Sequence, residues 1–378
     1  MFFDYSAEQQ DFRASLRRLI ADRAPLPAVR TRLGDAHDPE LWRYLCQDMA
    51  VPALAVPETY GGAGFSLEET AIAVAELGRA LAPVPVLEAV LAIEAIRRLG
   101  TESQRQQLLP DLAAGERIAI IAASGPGEDE RVRAGRSGSE VVLTGSRPHV
   151  PRGHVADLFL VPAADPDGTA RLYVVDAATP GVTVSGRERS FDLTRPVSVL
   201  ELDAVPGTAL GNGSPPDFQA LLDIGRALLA AEMAAVAQAC LDMSVEYAKR
   251  RVQFNRAIGS FQAIKHGCAE IAVEIDAAQA AADWAVMLAA ACARAGNDSA
   301  GNDGAADHGA MRTAALIAKA QAADTLVAAA SWNIQVHGGI GFTWEHDAHL
   351  FLRRAKSDQV LFGDSAWHRA ALADRVGV

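Results

Sequence analysis

Arg250-Arg251-Val252-Gln253-Phe254-Asn255-Arg256-Ala257-Ile258, followed by Phe261-Gln262, is the stretch on which the reading of the fold turns. It clusters cations, amides and aromatic rings between two long helical patterns. Upstream, Leu229, Met233, Val236, Cys240, Met243 and Tyr247 alternate spacings of four and three. Downstream, Ile264, Cys268, Ile271, Ile275, Ala278 and Ala282 repeat that rhythm. Apolar residues so spaced share one helix face, so both runs predict helices of an antiparallel bundle. The basic stretch marks the turn between them. An arginine presents a planar fork of donors suited to phosphate. A basic helix C-terminus also complements the helix dipole. Taken alone, these residues leave both readings open.

Working outward, Gln335-Val336-His337-Gly338-Gly339-Ile340-Gly341-Phe342 is a second unusual segment. Its glycines allow a sharp turn and a close approach to a ligand, or a plain loop between helices. His337 alone reads as a hydrogen-bonded structural histidine. Residues 296–309 are rich in Gly, Asn and Asp and predict an exposed loop. Upstream, Ile118–Ala122, Glu140–Leu143, Asp157–Val161, Arg171–Val175 and Val197–Leu200 are short β-type runs, predicting a small antiparallel β domain. The N-terminal part reads as helices. Ser6 followed by Gln9, and Ser66 followed by Glu69, have capping-box form. Val56–Gly64 and the Pro83–Pro85 link break the helices. The expected fold is mostly α with a central β domain: helices over 1–117, β structure over 118–213 and a four-helix bundle over 214–378.

Composition excludes several classes. The chain has 378 residues, half of them apolar but only 6% aromatic, a palette of packed helices. Its formal charge of −12 disfavours nucleic acid as a partner. Cys46, Cys240, Cys268 and Cys292 show no metal-ligand spacing and read as reduced thiols, so no metal site is expected. Neither a signal peptide nor a run approaching the ~20 apolar residues of a membrane span is apparent. A cytoplasmic location without membrane association is expected.

Together and in this order, the two unusual segments resemble the acyl-CoA dehydrogenase family. Val56-Pro-Glu-x-Tyr-Gly-Gly-x-Gly64, Glu76-Leu-Gly-Arg-x-Leu-Ala-Pro83, Asp192-Leu-Thr-Arg195 and Leu210-Gly211 add to the likeness, which spans nearly the whole chain. The resemblance implies the helix–β–helix order already read from texture. It implies FAD-dependent α,β-dehydrogenation of an acyl-CoA thioester, a Glu as the α-proton base, and electron transfer to an electron-transfer flavoprotein. It also implies that FAD lies at a subunit interface. Arg251, Gln253, Phe254, Ile258, Phe261, Gln262, Gln335, Gly338 and Gly339 would then contact the ADP half of a partner's FAD.

The departures from the family pattern are as informative. The usual catalytic Glu near the C-terminus corresponds to Phe362, beside Gly363. The alternative position on the first bundle helix corresponds to Gly225, before Arg226. The flavin loop matches Ala123–Asp129 only loosely, and the strand that packs on the isoalloxazine corresponds to His149-Val150-Pro151. The chain therefore resembles the non-catalytic subunit of the heteromeric acyl-CoA dehydrogenases of actinobacterial sterol degradation. A homologous partner in an α2β2 assembly would carry the catalytic Glu. Two alternatives stand beside this. One is a self-sufficient homomeric enzyme using Asp364 as base, with Glu232 a weaker candidate; Asp364 also reads as a helix N-cap. The other is a flavin-free scaffold.

Overall fold

In the computed structural model, helix α1 (Ala7–Arg23) begins where the capping pattern places it. Ser6 Oγ accepts the N–H of Gln9, and the Gln9 side chain accepts the N–H of Ser6. Two orphan donors of the first turn are thereby satisfied. The structure describes residues 5–35, 37–123, 125, 132–138, 140–165, 169–187, 190–211, 218–295 and 307–377. The chain packs as two compact units.

One unit comprises residues 32–70 and 83–225. It holds α3 (Pro39–Gln47), α5 (Val86–Leu99), α6 (Glu102–Ala113) and an eight-stranded sheet. The strands are β1 (Ala119–Ile121), β2 (Val132–Ser137), β3 (Glu140–Pro151), β4 (Leu158–Ala164), β5 (Ala170–Asp176), β6 (Val182–Ser185), β7 (Val197–Pro206) and β8 (Thr208–Ala209). They lie in the order β6-β7-β3-β2-β4-β5-β8, with β1 beside β4. The expected antiparallel sheet is corrected at β4, which pairs in parallel with β1 and β2. Leu158 through Ala163 are all buried, the continuous apolar run that a strand covered on both faces requires. Ile93 and Ile96 of α5 and Leu109 and Leu112 of α6 share a core with Leu158, Leu160 and Leu172.

The motif Asp192-Leu-Thr-Arg195 is a buried lock in this unit. Asp192 Oδ1 accepts from both the N–H and the hydroxyl of Thr194. Arg195 reaches Glu88 Oε1 at 3.1 Å, and Arg152 lies 3.8 Å from Glu88 Oε2. Gly115, at φ +71°, is required for packing as well as backbone: a Cβ there would sit 2.3 Å from Cys46 Sγ. Gly115→Ala is expected to cost at least about 2 kcal/mol from overpacking and left-handed strain combined, read as a lowered urea midpoint with unchanged slope.

The other unit comprises residues 1–31, 71–82 and 226–378. It holds α1, α2 (Leu26–Thr31), most of α4 (Leu67–Arg79), α7 (Phe218–Arg250) from Arg226 onward, α8 (Gln262–Ala295), α9 (His308–His337), α10 (Ala348–Val360) and α11 (Ser365–Val376). Leu229, Met233, Val236 and Cys240 are fully buried, as their spacing demands. On α8 the seam is buried from Ile275 onward, while Ile264, Cys268 and Ile271 are half-buried. One qualification to the sequence reading arises here: Gln262–Arg294 is long and apolar enough to span a membrane by length and composition, with 44% of its most apolar window buried inside the chain. The part of the predicted loop over 296–306 lies outside the described residues.

Glu76-Leu77-Gly78-Arg79 proves to be a packing lock within this unit. The buried Glu76 carboxylate accepts from Arg13 Nε at 2.7 Å and from Arg17 Nη2 at 2.6 Å. Gly78 leaves room for Glu232, whose Cγ would lie 2.1 Å from an added Cβ. Glu232 in turn pairs with Arg354 at 2.9 Å, both side chains 1% exposed.

Candidate functional site

Where α7 ends, the chain turns in a tight hairpin that the sequence reading does not anticipate. β9 (Val252–Gln253) pairs with β10 (Arg256–Ala257), Arg256 opposite Gln253. Its two turn residues, Phe254 (φ +51°) and Asn255 (φ +62°), are both left-handed, as a type I′ turn needs. Asn tolerates this conformation; a bulky Phe does so under strain. Phe254 is 87% exposed to solvent. Phe261 meets its ring edge-on at 6.1 Å, and the Arg256 guanidinium lies over Phe261 at 4.0 Å.

The other segment closes α9. Gly338 takes φ +65°, and a Cβ on Gly338 or Gly339 would meet no protein atom within 4 Å. Here the backbone itself is open to a ligand. Arg251, Gln253, Phe254, Gln262, Gln335, Gly338 and Gly339 are exposed, while Ile258 and Phe261 are half-buried. His337 Nδ1 bonds Asn333 O at 2.8 Å, and its ring stacks on Tyr247 of α7 at 4.2 Å. That stack brings the ends of α7 and α9, and so the two segments, to one end of the bundle. It also engages His337 in structure rather than in ligand contact. Guanidinium and amide donors, an exposed aromatic ring and uncovered backbone fit the pyrophosphate and adenosine of a dinucleotide. Ile340, Phe342 and Trp344 extend this face, 45%, 74% and 52% exposed. Sequence reasoning did not single them out as candidates; three large apolar side chains in a Gly-rich turn are the signal that could have done so.

At the expected base position the chemistry differs. Phe362 is buried at φ +60°, and its carbonyl accepts from Arg226 Nε at 3.1 Å. The fully buried Arg226 guanidinium lies over the Trp367 ring at 4.9 Å. Lys319, also fully buried, donates to the carbonyls of Gln359 and Gly363, each at 3.2 Å. Burial pushes the Lys319 ammonium down to about 8 despite the neighbouring Asp358. Burial, with Lys319 and Arg226 nearby, pushes His368 down to about 3, so this imidazole is neutral. The position that the resemblance aligns with the family's Glu thus carries a phenyl ring, with Arg226 at its carbonyl and Lys319 at the carbonyl of the next residue. Gly225 has no side chain to offer.

The two substitute bases are otherwise engaged. Asp364 is the N-cap of α11 and accepts the Trp367 N–H at 2.7 Å. Glu232 is held by Arg354. Asp364→Ala is expected to cost about 1 kcal/mol of stability by loss of the helix cap, read as a lowered urea midpoint. On the flavin side, most of the Ala123–Asp129 loop lies outside the described residues. His149-Val150-Pro151 ends β3, with Val150 fully buried and Pro151 opposite Val197. Pro151 has no N–H to donate there.

Comparison with known proteins matches this layout. The acyl-CoA dehydrogenase N-terminal domain matches residues 6–116 and the acyl-CoA dehydrogenase C-terminal domain matches residues 216–377. Acyl-CoA dehydrogenase IpdE2 of Mycolicibacterium smegmatis is 32% identical over 360 residues, covering 95% of each chain. Among solved structures, the ChsE4-ChsE5 complex of Mycobacterium tuberculosis aligns with TM-score 0.86 and 28% identity, over 100% of this chain and 99% of that one. A variant of the Tcur3481-Tcur3483 steroid ACAD aligns with TM-score 0.83 and 30% identity, over 98% of each. With its helical ends, central sheet and bundle all matched, this chain belongs to the acyl-CoA dehydrogenase family.

Proposed function

We propose that this chain is the partner subunit that supplies the ADP-binding half of an interfacial FAD site, while a homologous subunit supplies the catalytic Glu. The observation that carries the reading is the contrast between two places in one unit. The dinucleotide-facing segments present Arg251, Gln253, Phe254 and the open Gly338-Gly339 backbone. The base position presents Phe362 instead of a carboxylate. A phenyl ring cannot accept the α-proton of a thioester, and neither Asp364 nor Glu232 is placed to replace it. Bound FAD supplies the hydride acceptor for α,β-dehydrogenation of acyl-CoA. Arg251 and Gln253 would hold the cofactor's pyrophosphate through charge-assisted and amide hydrogen bonds, and Phe254 offers an exposed ring to its adenosine.

Two relatives support a heteromer. One is a complex of ChsE4 with ChsE5; the other pairs Tcur3481 with Tcur3483 and is named a steroid ACAD. An α2β2 assembly, sterol-derived acyl-CoA as substrate, an electron-transfer flavoprotein as electron acceptor and a cytoplasmic location complete the reading. The test is purification of the chain alone and co-expressed with a Glu-bearing relative. The lone chain is expected to show no acyl-CoA turnover, and the pair to turn over and be yellow. Turnover with full flavin by the lone chain would restore the homomeric reading. A colourless, inactive pair would leave the scaffold.

A further inference from the structure

The Tyr247–His337 stack has a third member. The His346 ring lies 4.2 Å from His337, tilted by 44°. His346 sits in the turn before α10, and the N–H of Ala348, the first residue of α10, donates to its Nδ1 at 3.1 Å. A nitrogen that accepts carries no proton, so the His346 proton resides on Nε2. His337 shows the opposite tautomer. Its Nδ1 faces the Asn333 carbonyl, which only accepts, so Nδ1 carries the proton. Beneath them, Ser244 donates to the Cys240 carbonyl at 2.8 Å and to Asn333 Oδ1 at 3.2 Å, with Ser244 and Asn333 fully buried. Two neutral imidazoles of complementary tautomer therefore join the last turns of α7 and α9 to the start of α10.

We propose that His346 is a positioning residue for the dinucleotide-facing segments: as a neutral imidazole it locks them in one geometry, and its protonation loosens them. The inference rests on the reading of those segments as an ADP grip. Tyr247 precedes Arg251 by one helical turn, and His337 lies between Gln335 and Gly338-Gly339, so the stack backs both segments directly. Protonating His346 removes the acceptor for the Ala348 N–H and places a cation against the His337 ring.

Titratable and charged groups surround His346. From α9 it meets His337, itself stacked on Tyr247 of α7. His349 of α10 lies near it, and His349 in turn faces Arg353 of α10 and Arg30 of α2. Its own turn adds Glu345, which is fully exposed, and Asp347, which is paired with Arg30 at 2.9 Å. Burial, with His346 beside it, holds His337 below the ordinary imidazole range. Such a group binds fewer protons folded than unfolded, so the local structure loses stability as pH falls through that range.

FAD is the probe, because its pyrophosphate is a diester with no titration between about pH 5.5 and 7.5 while imidazoles titrate there. Binding to the co-expressed complex stripped of flavin is followed by fluorescence at both ends of that range. The wild-type complex is expected to lose about tenfold in affinity on acidification, the size of one hydrogen bond and its geometry. His346→Ala is expected to weaken binding at the upper pH. His346→Asn keeps an acceptor for Ala348 but cannot take a proton, so it should rescue much of that loss and flatten the acid limb. An acid limb as steep in His346→Asn as in wild type overturns the inference, as does a wild-type profile flat across the range. Either result with Arg251-dependent binding at the upper pH leaves the ADP grip standing. Absence of FAD binding at the upper pH overturns both.

Discussion

Arg354→Ala is expected to lower the unfolding free energy by about 3–5 kcal/mol, the cost of leaving a buried charge without its partner. The partner is Glu232, 1% exposed and 2.9 Å from the Arg354 guanidinium. α4 packs closely against Glu232 at Gly78. A Cβ on Gly78 would lie 2.1 Å from Glu232 Cγ and 2.9 Å from its Oε1. The same geometry makes Gly78→Ala destabilising by overpacking. A double substitution, Glu232→Leu with Arg354→Met, removes both charges and keeps the volume filled, so it should recover most of the loss. Urea unfolding of the three variants checks this. A loss below about 1 kcal/mol for Arg354→Ala, the range of an exposed pair, would show that water reaches Glu232.

Arg251→Ala in the co-expressed complex is expected to weaken FAD binding about 10- to 100-fold, the worth of a charge-assisted hydrogen bond to phosphate. Arg251 is exposed at the start of the hairpin whose turn displays Phe254. Arg250, its neighbour, is 3.1 Å from Glu246 on the last turns of α7 and belongs to the helix surface. Arg250→Ala should therefore change affinity much less. The comparison separates a specific grip from a general loss of positive charge. Equal effects from both substitutions would reduce the cluster to a basic helix terminus.

How much of this was legible in the sequence depends on the kind of signal. The bundle helices were legible because Leu229, Met233, Val236 and Cys240 repeat a helical period, and all four are buried. The capping residues Ser6 and Ser66 were legible because the chemistry of a first helical turn is local. The β domain was read in fragments. Gly145 and Pro148 break the pattern of β3, yet the strand runs on from Glu140 to Pro151 by shifting register against β7 at those places. The hairpin at Phe254-Asn255 was not legible, because a bulky Phe disfavours the left-handed conformation that a type I′ turn requires. Gly78 was noticed as part of a recurring pattern; its reason, the room it leaves for a glutamate more than a hundred residues away, exists only in the fold. The expectation that Phe362 stands where the family's Glu belongs came from the resemblance alone. The surroundings of that residue, Arg226 against the Phe362 carbonyl and Lys319 buried beside Gly363, were not legible.

The most direct measurement is the flavin count of the purified heteromer, from flavin absorbance set against the protein concentration of each chain. If each interfacial site joins one subunit's ADP grip to the other's flavin pocket and Glu, the complex holds one FAD for every two chains. One FAD for every chain would contradict the half-site division, because it would require this chain to build a flavin pocket of its own.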